Sequence, residues 1–380
     1  MPRKQLAQLL LFVFVDVIGY SLFFPLLPYY ATEFGAGTAL VGLMIASNAG
    51  AQFVVSPIVG RLSDRFGRRP LILVSIAGTM LSFLLLAFVK PVSEFLAEVI
   101  NLQGGLQSTG AQAAAWAVGL LFFCRILDGV TGGNVSLARA YVSDITTDEH
   151  RAQGLGLIGA AFGFGFVIGP AIGGTLSNLS RMGAVMDAAG LSRFSIPAFG
   201  AVILSLVNLI GVFIFLPESL PNRKRSPVPA GPSGLSWYSN LRAQGQSAVV
   251  KLLGLRLLFS LAITLFMANF ALFTQDYLEL SDQATSYVLT YAGVLLILVQ
   301  AVGIRWLTGR FSEWTIVFRG AIIVAGSLFG LGLVSGIPSL MVILFPLTIS
   351  GGALNTIINS LISKSVDREK VGGALGLATS

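Results

Sequence analysis

Three ionisable side chains stand in apolar runs that would ordinarily carry none. Asp16 lies in FVDVIGYSLFFPLLP, and Arg125 and Asp128 lie three residues apart in FCRILDGVTGG. On insertion scales an ionised group near the centre of a bilayer costs roughly 2.5–3.5 kcal/mol. Either these segments do not cross a membrane, or the charges are there to work. The chemistry open to such a set is proton exchange. A spacing of three puts Arg125 and Asp128 on adjacent turns of one helix face. Burial favours the neutral acid of Asp128, whereas Arg125 favours its carboxylate, and a group balanced that way can load or release a proton as its surroundings change. Asp16 has no cation nearby in sequence, so desolvation dominates there unless Arg125 reaches it. The competing reading is a static Arg125–Asp128 pair that only fixes helix register.

Composition decides that the segments do cross. Of the 380 residues 54% are hydrophobic and 11% charged, with a mean hydropathy of +0.82. Soluble proteins carry about 25% charged residues, and so few ionised groups cannot cover a water-soluble surface of this size. The chain is an all-α, multi-pass integral membrane protein. The single cysteine, Cys124, excludes an internal disulfide, and one cysteine with one histidine, His150, cannot close a zinc site.

A formal charge of +7 could suggest nucleic acid, but its distribution points to the bilayer. Basic residues gather in alternate loops: Arg3 and Lys4; Arg61, Arg65, Arg68 and Arg69; Arg139 and Arg151; Arg223, Lys224 and Arg225; Arg305 and Arg310; Lys364, Arg368 and Lys370. The other loops hold only Lys90, Arg181 and Arg193. That bias predicts a cytoplasmic N-terminus and central loop. The first apolar stretch has no small-residue cleavage site after it and reads as a retained span.

Apolar segments near 20 residues long fall at 6–29, 38–59, 71–89, 113–138, 152–175 and 197–216, then at 253–274, 286–307, 316–335 and 339–362. A Pro-, Gly- and Arg/Lys-rich stretch between the sixth and seventh predicts a cytoplasmic linker at 217–250. It would join an N-terminal bundle, 1–216, to a C-terminal one, 251–380. In PVSEFLAEVINLQ the apolar residues Val92, Phe95, Leu96, Val99 and Ile100 have helical spacing, which predicts a short interfacial helix. The halves echo each other. GRLSDRFGRRPLIL follows the second span and GIRWLTGRFSEWTIV the eighth, an internal duplication of the kind two-bundle transporters show. The closing GGALGLATS reads as the first turns of an eleventh span cut short.

GRLSDRFGRRP resembles the loop after the second helix in the major facilitator superfamily, through Gly60, Leu62, Asp64, Arg65, Gly67, Arg68 and Arg69. A plain positive-inside loop would explain the basic residues but not the spaced glycines or Asp64. The resemblance implies a cytoplasmic gate, with Asp64 holding a helix of the other bundle, the eleventh. The fifth span carries G-x8-G-x3-G-P-x2-G-G through Gly156, Gly165, Gly169, Pro170, Gly173 and Gly174. It resembles the antiporter motif of the drug:proton antiporter branch. Gly165, Gly169 and Gly173 recur every fourth residue, a smooth stripe on which another helix can pack. The GxGxxG at Gly154, Gly156 and Gly159 lacks the preceding strand that a dinucleotide site needs, and is discarded. No phosphate-loop motif appears, and no cofactor is expected.

RILDGVTGG aligns with the fourth-helix R-x-x-x-G motif through Arg125 and Gly129, although the family usually has an uncharged residue where Asp128 stands. AYVSDITTDEHRAQGLG, LPES after the sixth span, and Asp16 with Gly19, Pro25 and Pro28 resemble the tetracycline/proton antiporters. The resemblance covers essentially the whole N-terminal half and, more weakly, the other. It implies two six-helix bundles around a central cavity, with about ten full spans in this chain. Asp16, Asp128 and Arg125 are then the proton-coupling candidates, the choice between the acids being open. Asn269, Phe270, Phe273, Gln300, Asn355 and Asn359 are the softer substrate-cavity candidates, since aromatic and amide groups suit an amphipathic molecule. The acid that many drug antiporters carry in the seventh helix is missing, with Asn269 nearby instead.

The expected function is proton-coupled efflux of small amphipathic compounds, tetracycline-like drugs among them, by a monomer working through alternating access. It has protons, substrate and lipid as partners, no nucleic acid and no metal, and no enzymatic step. A sugar or metabolite transporter of the same superfamily is the nearer alternative. A non-transporting receptor or scaffold is the one of another class, and it would tolerate loss of Asp16 and Asp128.

Overall fold

The structure is a computed structural model that describes residues 3–104, 109–181, 186, 188–219 and 247–365. A bilayer leaves the backbone no water to bond, so each crossing must satisfy its own amides, and a helix does so. Among the described residues every regular element is helical. Among the same residues nine helices are long and apolar enough to cross a membrane. Large apolar side chains such as Phe53, Leu257, Phe318 and Phe329 face outward, as a lipid-facing surface requires.

The first span is α1, Arg3–Phe23, continued through a tight turn at Phe24–Leu26 into α2, Leu27–Glu33. Pro25 and Pro28 sit at that junction, where a missing N–H is tolerated. Then come α3, Thr38–Phe66, and α4, Arg68–Ala87. The hinge between them is Gly67, with φ +102° and ψ 160°, backbone angles that only glycine adopts without strain. The amphipathic segment forms α5, Val89–Gly104, which rests on α6, Thr109–Thr131. Small residues Ser93 and Ala97 face inward and Phe95 outward.

The fourth span is not one helix. It breaks at Gly132–Gly133 and resumes as α7, Asn134–Ile145. Two successive glycines weaken the helix there, and the Gln52 side chain donates to the Gly132 carbonyl at 2.6 Å. The fifth span, α8, covers Asp148–Arg181 with Pro170 inside it, and the sixth, α9, covers Ser195–Phe215.

Beyond residue 246 lie α10, Ser247–Asp276, and α11, Asp282–Leu298. The eighth predicted span is α11 plus a π-helical turn at Val299–Gly303 and α12, Ile304–Arg310. The chain ends its described part with α13, Glu313–Gly330, and α14, Ile337–Lys364. Most of the 217–250 linker and the start of the eleventh span lie outside the described residues.

Packing divides the chain into two compact units. One takes Met1–Pro227 with Ala271–Thr290, the other Val228–Phe270 with Tyr291–Ser380. The first unit has one apolar cluster around Phe23, Tyr30, Phe83 and Phe194, and another around Leu9, Phe12, Tyr141 and Val212. Within this unit Tyr29 secures the 271–290 segment: its hydroxyl lies 2.6 Å from Thr285 Oγ1 and donates to the Leu280 carbonyl at 3.1 Å. In the second unit Gly320 of α13 meets Leu354 of α14, and Lys364 pairs with Glu313 at 2.7 Å.

Candidate functional site

The two acids among the proton-coupling candidates, Asp16 and Asp128, have different surroundings. Asp128 is sealed. Only 5% of its side chain is exposed, and Arg125 is equally buried. Arg125 Nη1 reaches Asp128 Oδ2 at 3.5 Å, and its guanidinium lies 5.9 Å from the Phe83 ring centroid. A third residue completes the group. Asn48 of α3 donates from Nδ2 to Asp128 Oδ2 at 2.9 Å and to the Arg125 carbonyl at 3.0 Å. Gly129 makes that reach possible: a Cβ there would sit 2.8 Å from the Ala51 Cβ and collide with the Asn48 carbonyl. The R-x-x-x-G spacing thus lets α3 close on α6 and brings Asn48 to the pair.

Asp16 is half-buried on α1. Both its carboxylate oxygens accept from Asn134 Nδ2, each at 2.9 Å. Asn134 is the first residue of α7, so the Gly132–Gly133 break turns this side chain onto α1. One turn beyond Asp16 begins an aromatic surface. Tyr20 packs against Phe24 and Phe166, and Phe162 stacks on Phe166 with centroids 5.5 Å apart.

α1 is itself held by the glycine stripe of α8. A Cβ on Gly165 would lie 2.8 Å from Val17 Cγ1, one on Gly169 2.8 Å from the Leu22 nitrogen, and one on Gly173 against the Leu22 carbonyl. The close approach lets Ser21 Oγ donate to the Gly165 carbonyl at 2.9 Å. Gly174 points elsewhere, at Ser286 of α11, whereas Gly156 touches nothing within 4 Å.

At the α3–α4 turn, Arg68 is the hub. It pairs with Asp64 at 2.6 Å and with Asp144 of α7 at 3.0 Å, and also bonds Ser63 Oγ. Glu218 accepts from the Arg68 and Arg69 backbone N–H groups at 2.9 and 3.2 Å. It caps the start of α4, where an anion is favoured by the helix dipole. Arg69 bonds the Phe213 carbonyl and covers the Phe213 ring. Arg65 lies over Phe66, and the Gly60 carbonyl accepts from Ser63 Oγ at 2.7 Å. Asp64 therefore has a partner inside its own unit. The eleventh-helix partner implied for it lies outside the described residues.

The softer candidates are scattered along α10, the π turn and α14. Asn269 turns back onto the Leu265 carbonyl at 2.8 Å, Phe270 is buried against Phe266, and Phe273 stacks on Tyr277. Gln300 is exposed in the π turn. Asn355 Oδ1 accepts from Arg256, and Asn359 lies one turn further on α14.

Asn48, Asn134, Asp144 and Glu218 are the residues that sequence reasoning left off the site. Asp144 and Glu218 stand in AYVSDITTDEHRAQGLG and LPES, so a signal for them existed. For the two asparagines there was none, because a neutral amide in a helix carries no mark of its partner.

Many membrane-length helices, acids buried among them and a charged turn at one end are the anatomy of a transporter. The chain belongs to the Major Facilitator Superfamily, whose family model matches residues 9–380. It is 27% identical to the class H tetracycline resistance protein of Pasteurella multocida, over 100% of this chain and 85% of that protein. With the class C tetracycline resistance protein of Escherichia coli the identity is 28%, covering 97% and 84%. Among solved structures, the human organic anion transporter MFSD10 superposes with a TM-score of 0.65 at 20% identity, covering 100% of this chain and 90% of that one. A D-xylose-proton symporter gives 0.69 at 16%, covering 99% and 84%. These last two are likenesses of fold.

Proposed function

We propose that the protein exports small amphipathic organic compounds in exchange for protons, with Asp16 as the proton carrier. The observation that carries this is the contrast between the two acids. Asp128 is closed off and held by Arg125 and Asn48, whereas Asp16 is half-buried and held by one neutral amide. A carrier must meet water in at least one facing state, and in this structure Asp16 is the more exposed of the two acids. Asp128 then acts as the counter-ion that keeps Arg125 in the bilayer and α3 on α6.

The substrate class follows from what adjoins Asp16. Tyr20, Phe24, Phe162 and Phe166 form a partly exposed aromatic surface one turn away, suited to a flat organic molecule. The tetracycline resistance relatives support drug efflux over import. A single chain alternates access with its two bundles, 1–216 and 251–380, joined by the linker 217–250. The charged turn from Gly60 to Arg69, together with Asp144 and Glu218, lies at the cytoplasmic mouth.

The test uses inverted vesicles carrying the protein under an imposed proton gradient. Per folded molecule, added tetracycline or an amphipathic cation should collapse the gradient in wild type and in Asp128→Asn, but not in Asp16→Asn. Collapse that survives in Asp16→Asn and disappears in Asp128→Asn would reverse the assignment. A response to sugars in place of drugs would favour the metabolite reading.

A further inference from the structure

The most apolar span, α9, hides one amide. Asn208 is 2% exposed, and neither its Nδ2 nor its Oδ1 has a hydrogen-bond partner among the described residues. Buried amides in folded proteins are paired, so an unpaired one asks for a reason. Its position supplies one. A Cβ on Gly19 of α1 would meet Ala201, Leu204 and Ser205 of α9, and a Cβ on Gly211 of α9 would meet Phe12 of α1. Asp16 lies between Phe12 and Gly19 on one face of α1, one turn from each. Asn208 lies between Ser205 and Gly211 on the facing side of α9. The antiparallel register therefore brings Asn208 level with Asp16.

We propose that Asn208 is the partner of protonated Asp16, a positioning residue for proton coupling. The proposal rests on the reading of Asp16 as the carrier. The carboxylate needs donors, and Asn134 Nδ2 serves both its oxygens. A neutral acid has an O–H that needs an acceptor. A carboxylic acid and a primary amide make two complementary bonds: the Asp16 O–H donates to Asn208 Oδ1, and Asn208 Nδ2 donates to the second Asp16 oxygen. The proton comes from water on the open side. On binding, the new O–H joins α1 to the amide of α9, a bond that the ionised form of Asp16 does not make. That gives the proton a mechanical consequence inside the first unit.

The other titratable groups around Asp16 do not offer this role. Asp128 of α6 is the charge that reaches it, and it is engaged with Arg125 and Asn48. On α7, Tyr141 donates to the Pro217 carbonyl, Asp144 pairs with Arg68, and Arg139 lies on the turn before Tyr141. Tyr20 packs in the aromatic surface. α9 and residues 154–180 of α8 contain no titratable side chain.

The experiment is an infrared difference titration of the purified protein in nanodiscs, following the C=O stretch of the protonated carboxyl that Asp16→Asn removes. In wild type the band should have the lowered frequency of a doubly hydrogen-bonded acid. In Asn208→Leu it should rise in frequency, and its midpoint should move to lower pH by about one unit, a roughly tenfold weaker proton affinity. Asn208→Gln, which keeps the amide, should restore much of both. A band whose frequency and midpoint are unmoved in Asn208→Leu overturns the proposal and leaves Asp16 as carrier. If Asn208→Leu does not fold, the wild-type frequency alone decides, since a non-bonded acid is incompatible with the pairing. No band sensitive to Asp16→Asn would sink the carrier reading and the proposal together.

Discussion

Gly169→Ala gives the sharpest test of how α8 holds α1. A methyl group at Gly169 would collide with Ser21 Oγ, which must turn away, and would sit 2.8 Å from the Leu22 nitrogen and 2.9 Å from the Ile18 carbonyl, both backbone atoms that cannot swing aside. Ordinary contact begins near 3.4 Å, so the helices must part by about 0.6 Å. Forcing one extra methyl into a packed contact costs about 1–3 kcal/mol. Parting also stretches the Ser21–Gly165 hydrogen bond, 2.9 Å in this structure and worth about 0.5–1.5 kcal/mol. The loss should total about 1.5–4.5 kcal/mol, less the gain of up to ~1 kcal/mol that alanine brings to any helix. Gly163→Ala, where nothing lies within 4 Å, should show that gain alone. Gly156→Ala should behave like Gly163→Ala, although Gly156 belongs to the fifth-span motif and Gly163 does not. The assay is the fraction of protein still folded after heating in detergent, with drug-driven proton exchange measured beside it. Equal stability of Gly169→Ala and Gly163→Ala would refute the packing argument. Damage in Gly156→Ala equal to that in Gly169→Ala would show that the motif acts by something other than contact with α1.

Three further outcomes follow from the geometry. Gly67→Ala places a side chain at φ +102° and should cost about 1–3 kcal/mol in thermal stability; an unchanged melting profile would mean that the α3–α4 turn relaxes without cost. Glu218→Gln removes the anion from the start of α4 and should cost about 0.5–2 kcal/mol, less at high salt; a loss insensitive to salt would argue for a neutral cap. Asp128→Leu strands Arg125 in the bilayer and should cost about 3–5 kcal/mol, read as lost folded yield, whereas Arg125→Leu with Asp128→Leu should recover much of it; no recovery would count against a structural pair.

Much of this protein was legible before its structure. Hydropathy is a sum over neighbouring residues, so the bilayer marks each span in the sequence directly. The Arg125–Asp128 pair was legible for the same reason, because i, i+3 spacing is fixed by the helix itself. The glycine stripe of α8 was visible as a period, but its partner was not. That α1 lies on it, carrying Asp16, depends on how two helices far apart in sequence are rotated toward each other. The break at Gly132–Gly133 was hidden inside an apolar run that read as one helix, and it is this break that delivers Asn134 to Asp16. Asn48, Asn134 and Asn208 escaped notice because a neutral amide, unlike a charge, costs too little in an apolar helix to stand out. Its meaning lies in what stands opposite. Sequence by itself determined the spans, the charged turn and the buried charges, since each follows from local chemistry and the solvent. Only the tertiary structure decided which acid is sealed and which is half-buried, because that is settled by helix rotation and register, and these are properties of pairs.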